Sequence, residues 1–195
     1  MADPCIAHET TGYHGTSSEA ARDIKEDKNF LPSDGDDKWL GPGVYFFEDG
    51  ISNGKDDAKS WGYVAAWDND EECLKYREYA VVKVALSMKK MLDLTTFEGL
   101  KFFEYARREF RGRARPKYGE PQSGRKFDNS VINFWASMLK FDGLRGWFFT
   151  KLSRDSRYFW VESGIPNTTI ICIRDHATCI SLDRVEIVAN GSTNR

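Results

Sequence analysis

The stretch "GYHGTSSEAARDI", residues 12–24, sets a histidine against a glycine, between an aromatic and a hydroxyl, ahead of a run with helical spacing. The segment "TGYHGT" reads as a short strand entering a turn. Ser17 or Ser18 can cap a helix over residues 19–26, with Ala20, Ala21 and Ile24 on its inner face. His14 therefore stands where a strand gives way to a helix, as part of the packing or as a ligand-holding group.

Working outward, "NFLPSDGDDKWLGPG" is a loop rich in Asp, Gly and Pro, and "VYFFE" is a short apolar strand. "AKSWGYVAAW" reads as a helix. "EYAVVKVALSM" is the clearest strand, with β-branched residues between polar flanks. "TFEGLKFFEYARREF" is an amphipathic helix in which Phe97, Leu100, Phe102 or Phe103, and Ala106 recur at helical spacing. "NSVINFWASMLKF" is another helix, with Asn129 as its expected cap. "GLRGWFFT", "RYFWVE", "TTIICIRD" and "RVEIVA" follow as four strand-like segments. Strands and helices mix without strict alternation, so the expected class is α+β with largely antiparallel or mixed sheets, in one domain over residues 1–195.

The bulk numbers agree with a packed globule: 195 residues, 41% hydrophobic and 14% aromatic. No apolar run approaches the roughly 18 residues of a membrane span, and "MADPCIAHE" lacks a basic-then-apolar leader pattern. The expectation is a soluble, cytoplasmic protein with no membrane partner. Cys5, Cys73, Cys172 and Cys179 form no C-x-x-C pair, and there are three histidines; the thiols are expected reduced, with no metal site.

Charge is uneven. Residues 1–72 hold 6 Lys/Arg against 17 Asp/Glu, and the remainder 22 against 13. The densest basic stretch, residues 107–126, has 8 positive and 2 negative residues. Arg111, Arg113, Arg115 and Lys117 within it, with Arg154 later, are candidate nucleic-acid contacts; a solvated loop fits the same composition.

Two glycine-rich aromatic segments carry the chemistry, "YHGT" and "LGPGVYF". Glycine admits a ligand close to the backbone, histidine can hydrogen-bond a sugar hydroxyl, and tyrosine offers a flat face to an aromatic base. No phosphate-cradling or Rossmann motif accompanies them.

His14 and Tyr45, 31 residues apart and followed by a late apolar strand, resemble the ADP-ribosyltransferase superfamily. The closer likeness is to its diphtheria-toxin and poly(ADP-ribose)-polymerase-like branch, whose signature is His, Tyr and a variable third residue. The resemblance implies a split β-sandwich of two mixed or antiparallel sheets with flanking helices, and NAD as co-substrate without a metal. It implies that His14 bonds the ribose beside nicotinamide, that the Gly15 backbone holds the amide and that Thr16 meets the adenosine side. Tyr45 would stack on nicotinamide, with Trp61, or Tyr63 in its stead, closing the stack. Residues 29–38 would lie over the dinucleotide.

At the third position, Thr169 or Ile170, no carboxylate stands, which argues against polymer synthesis and for single-unit transfer or an inactive binder. Glu162, in the loop before that strand, would be the general base toward the acceptor, or an exposed carboxylate; Arg154 and Arg157 flank it. The expectation is mono-ADP-ribosyl transfer to a macromolecule, RNA or DNA slightly before protein. The alternatives are a non-catalytic binding module and an NAD glycohydrolase. The resemblance adds a toxin or phage-defence setting, with an inhibitor (antitoxin) protein as a further partner.

Overall fold

The computed structural model describes residues 4–34, 38–114, 124–159 and 162–194. Its strands are β1 (Cys5–Ser17), β2 (Val44–Glu48), β3 (Trp67–Asp68), β4 (Cys73–Leu74), β5 (Glu78–Asp93), β6 (Gly143–Phe148), β7 (Thr168–Ile173) and β8 (Glu186–Ser192). Its helices are α1 (Ser18–Asp27), α2 (Gly54–Val64), α3 (Phe97–Ala114), α4 (Gly124–Leu139), α5 (Arg154–Tyr158) and α6 (His176–Cys179), with a 3-10 turn at Leu182–Arg184.

The strands do not form two open sheets. Going round, β1 pairs with β2, β2 with β7, β7 with β6, β6 with β5, and β5 with β1, which makes a closed five-stranded mixed barrel. The split β-sandwich implied by the resemblance is thereby corrected. The physical reason lies in β5, whose 16 residues give it two working edges. One edge carries β1 along nearly its whole length, from Cys5↔Leu92 to Ser17↔Tyr79. The other carries β8 over Glu78–Lys83 and then β6 over Met91–Asp93. By changing partner part-way, β5 closes the ring with its second half. The β5–β6 pair is parallel, and its crossover runs through α3 and α4, as a parallel connection requires.

Alternation divides the strand residues into two clusters. Val44 and Phe46 of β2, Val82, Val84, Leu86 and Met88 of β5, and Ile171 and Ile173 of β7 meet inside the ring, with Ala21 and Ile24 of α1. Phe47, Leu92, Leu144, Ile170 and Cys172 point outward against Phe102 and Ala106 of α3 and Val131, Ile132 and Trp135 of α4. A five-stranded ring is narrow enough for side chains to fill it.

Four ring strands are also joined by charge. Arg145 of β6 bonds Glu48 of β2 through Nε and Asp93 of β5 through Nη1 (3.1 Å). His8 Nε2 of β1 lies 2.7 Å from the same Glu48. Burial pushes the Glu48 carboxyl up, but bonds from His8, Thr10 and Arg145 outweigh this and hold it below the usual value.

Several local expectations are revised. β1 extends six residues further toward the N-terminus than the short "TGYHGT". Ser17 is the cap of α1, accepting from the Ala20 N–H. α2 starts at Gly54 under an Asn53 cap and ends at Val64. Asn129 is buried inside α4 rather than capping it. Arg157 and Tyr158 of the expected strand "RYFWVE" belong to α5. Among the described residues, no helix is long and apolar enough to cross a membrane.

Gly15 fixes how α2 lies on the barrel. A Cβ there would sit 1.9 Å from the Ala58 carbonyl oxygen, on helix backbone that cannot swing away. Gly15→Ala is expected to cost about 1–3 kcal/mol or more in chemical denaturation, through overpacking. Gly112→Ala on α3, where a Cβ meets nothing within 4 Å, should instead stabilise by about 0.5–1 kcal/mol. Equal effects from the two would sink this account of Gly15.

Candidate functional site

The site lies where β1 and β2 part. Their register is Tyr13↔Phe47. One residue further on, the His14 side chain takes over: Nδ1 lies 2.9 Å from the Tyr45 carbonyl oxygen. A carbonyl only accepts, so Nδ1 carries the proton and Nε2 is left as the acceptor of the ring. The imidazole packs edge-on against Phe30 (5.6 Å) and Phe46 (5.8 Å). Burial lowers its pKa, and the bond to Tyr45 only partly opposes this. The ring is therefore neutral at pH 7.

A cavity of ≈ 310 Å³ opens beside it, lined by His14, Gly15, Tyr45, Trp61, Trp39 and Ile170 among others. Val44, Tyr45, Phe46 and Phe47 all line it. Successive strand residues face opposite ways, so a cavity on one face of a sheet would meet alternate residues only. This one meets both sets because it sits in the gap between the strands.

Tyr45 is fixed at both ends. Its hydroxyl donates to the Gly41 carbonyl and accepts from Leu40 N–H (3.0 Å). Gly41 sits at φ +77°, where a Cβ would also strike Arg174 Nη2 and Asn133 Oδ1. Arg174 Nη2 in turn bonds the Leu40 carbonyl (3.2 Å) and Asn133 (2.6 Å), so the turn is braced from α4. Burial holds the Tyr45 phenol well above its usual pKa, with Cys172 beside it adding to the rise. Tyr45 is thus a fixed, protonated aromatic face. Burial likewise pushes the Cys172 thiol up to about 12.

A second cavity of ≈ 670 Å³ adjoins the first, and the two share Trp39 and Trp61. Its walls include Trp147, Phe148, Phe149, Lys151, Arg157 and Glu162. The Glu162 side chain is 74% exposed, 3.3 Å from Lys151 Nζ.

Of the residues singled out in the sequence, His14, Gly15, Tyr45 and Trp61 meet at the first cavity, and Glu162 stands on the second. Leu31, Ser33 and Lys38, from the loop expected over a ligand, also line the first. Thr16 and Tyr63 are not among its lining residues. Thr16 is in the β1–β5 ladder opposite Ala80. Tyr63 lies under the Arg154 guanidinium at 4.4 Å, and Arg154 also bonds the Thr193 carbonyl, so that arginine is built into the scaffold. Arg111 stacks over Phe127 at 5.4 Å. Arg115, Lys117 and the Arg113 side chain lie outside what is described. At the third signature position, Ile170 lines the first cavity, while Thr169 is buried and accepts from the Ile51 N–H. Sequence reading missed Trp39, Lys151 and Trp147. Trp39, just before "LGPG", carried the one usable signal: a large aromatic in a polar loop. Among the described residues, no group of three or more His, Cys, Asp or Glu could hold a metal ion.

No protein-family model matches the chain, and no solved structure matches it significantly. It is 35% identical over 96 residues to an uncharacterized protein of Methanocaldococcus jannaschii. That match covers 48% of this chain and 41% of the archaeal protein, so it spans less than half of either.

The desolvated His14 gives a pH signature. The unfolded chain takes up a proton at about pH 6.5, and the folded chain takes it up only lower. The His14 contribution to stability is therefore full above about 6.5 and declines as pH falls below that value toward the lowered folded pKa. The His14 ring resonance, assigned by its loss in His14→Gln, should stay flat from about pH 7.5 to 6. An ordinary midpoint near 6.5 would show the ring to be solvated.

Proposed function

We propose that the chain is an ADP-ribosyltransferase that moves a single ADP-ribose unit from NAD to a macromolecular acceptor and releases nicotinamide. The observation that carries this reading is the convergence of His14, Gly15, Tyr45 and Trp61 on one cavity. They come from two strands and a helix, and they are the residues to which the resemblance gives the nicotinamide end of NAD. The cavity volume falls near the lower bound for small-molecule sites, about 300 Å³. That suits a nicotinamide ring and its sugar better than a whole dinucleotide.

Each residue fits its part. Tyr45, clamped by the Leu40–Gly41 turn, offers a ring face that pays little ordering entropy when a flat ligand lies on it. Trp61 supplies a second aromatic wall. Neutral His14, with Nδ1–H spent on Tyr45, offers Nε2 to a sugar hydroxyl. Gly15 presents backbone to the cavity, and its missing side chain lets α2, which carries Trp61, lie close to β1.

In the transfer, a lone pair of an acceptor N–H or O–H group forms the bond to ribose C1′. The C1′–nitrogen bond breaks with its electron pair going to the positively charged ring, and nicotinamide leaves neutral. The acceptor proton passes to the Glu162 carboxylate and then to water. The sugar is cation-like on the way, as in glycoside cleavage, so positioning and electrostatics supply the acceleration. Ile170 in the cavity wall, in place of a carboxylate, supports transfer of one unit rather than chain growth.

Purified protein incubated with NAD labelled in its adenylate part and a cell lysate should release nicotinamide and leave label on macromolecules. His14→Ala and Tyr45→Ala, with melting curves showing that they fold, should lose both signals by at least about 100-fold, since each removes a positioning contact. Intact NAD with no label in any fraction would overturn the reading. Nicotinamide release without labelled macromolecule would assign an NAD glycohydrolase.

A further inference from the structure

The second cavity has a composition that NAD binding in the first does not require. Trp39, Trp61 and Trp147 line it together with Phe148 and Phe149. Trp147 is 47% exposed at the end of β6. Ile165, in the loop that contributes Ser163, Gly164 and Pro166 to the same wall, is 77% exposed. Large apolar side chains left in water around a concavity mark a contact surface.

The charges narrow the contact further. The Arg157 guanidinium lies over the Trp61 ring at 5.6 Å, half-buried, with no carboxylate partner among the described residues. Half-buried and without a carboxylate partner among the described residues, this cation is a place for an anion. Lys151 is held at 3.3 Å by a mostly exposed Glu162, an exchangeable surface pair. Flat aromatic faces beside a fixed guanidinium match a nucleotide: base on ring, phosphate on arginine.

We propose that this second cavity is the acceptor subsite and takes an unpaired nucleotide of a single-stranded nucleic acid. The proposal rests on the transferase reading of the first cavity. A base within a duplex has both faces covered by its neighbours and cannot enter an aromatic-walled concavity, so the strand must be single or the base turned out. Glu162 on the same wall decides between acceptor and donor. A carboxylate suits removal of a proton from an incoming base or sugar, a step that the donor does not need; Asp128 on the same wall is taken up by Arg107. Trp39 and Trp61, common to both cavities, would divide the donor nucleotide from the acceptor nucleotide.

The test has an arm that needs no NAD. Fluorescein-labelled single-stranded RNA and the matching duplex are titrated into the full-length protein, as wild type, Trp147→Ala, Trp147→Phe and Arg157→Gln. The single strand should bind better than the duplex. Trp147→Ala should weaken single-strand binding about tenfold to a hundredfold, the value of one stacked base, and Trp147→Phe should restore most of it. Arg157→Gln should lower the slope of log affinity against log salt by about one. In the second arm, labelled transfer to the strand should fall at least tenfold more than nicotinamide release in Trp147→Ala. Single-strand binding that ignores all three variants would overturn the subsite. NAD affinity falling in parallel with strand affinity would overturn it by assigning the cavity to the ADP half of NAD, and label sensitive only to protease would do so by assigning a protein acceptor. Wild-type protein that leaves NAD intact would overturn the transferase reading, while the binding arm would still decide whether the cavity takes a strand.

Discussion

The hydrogen bond from His14 Nδ1–H to the Tyr45 carbonyl is the constraint on which the site depends. Two strands that pair at Tyr13↔Phe47 would ordinarily continue their ladder or diverge into solvent. Here a side chain from one strand satisfies the backbone of the other, so the ring stays closed while the strands stand far enough apart to leave a cavity. The bond fixes a proton on Nδ1. The surrounding Phe30 and Phe46 enforce neutrality by making the charged form costly. The packing of His14 thus leaves Nε2 as an acceptor at the cavity, so a packed role and the proposed ligand-holding role are compatible.

The rest of the barrel keeps that gap rigid. Glu48, Arg145, Asp93 and His8 bind β2, β6, β5 and β1 to one another. Removing the arginine alone would leave two buried carboxylates without the cation they share, which is the expensive way to break such a network. On the outer face, Gly15 lets the α2 backbone reach β1, and this brings Trp61 to the mouth of the cavity. Arg174 braces the turn that grips Tyr45. A site held by packing on rigid elements keeps its geometry without a ligand to organise it.

Much of the local structure was legible because it follows from periodicity. β5, α3, β6 and β7 were readable from β-branched runs or apolar spacing, and Ser17 from its place before a helix. The first six residues of β1 were not, since "CIAHET" carries His8, Glu9 and Thr10, whose strand state comes from pairing with β5, a tertiary fact. The aromatic run "RYFWVE" has strand propensity, yet Ser153 and Ser156 form a capping box that turns its start into α5. Ring closure was illegible for a related reason: it depends on β5 changing partner along one edge, and no local pattern encodes a partner. The pairing of His14 with Tyr45 was legible as a resemblance between two motifs, whereas Trp39, Trp147 and Lys151 sit in segments with no motif and become neighbours only through folding.

The apolar third position acquires a physical meaning from this geometry. With Ile170 in the wall of the first cavity and Tyr45 locked as a phenol, the group among its described residues best placed to take a proton is His14 Nε2, and burial disfavours the protonated ring. It can orient and desolvate a ligand, but it is poorly equipped to activate a nucleophile. The carboxylates on the described walls are in the adjoining cavity: Asp128, paired with Arg107, and Glu162, open to water. On the proposed transferase reading, donor binding and acceptor activation would be divided between two compartments that meet at Trp39 and Trp61. On that reading an acceptor must fill the second before its proton is removed, so the shape and charge of that compartment, rather than those of the first, would select the acceptor.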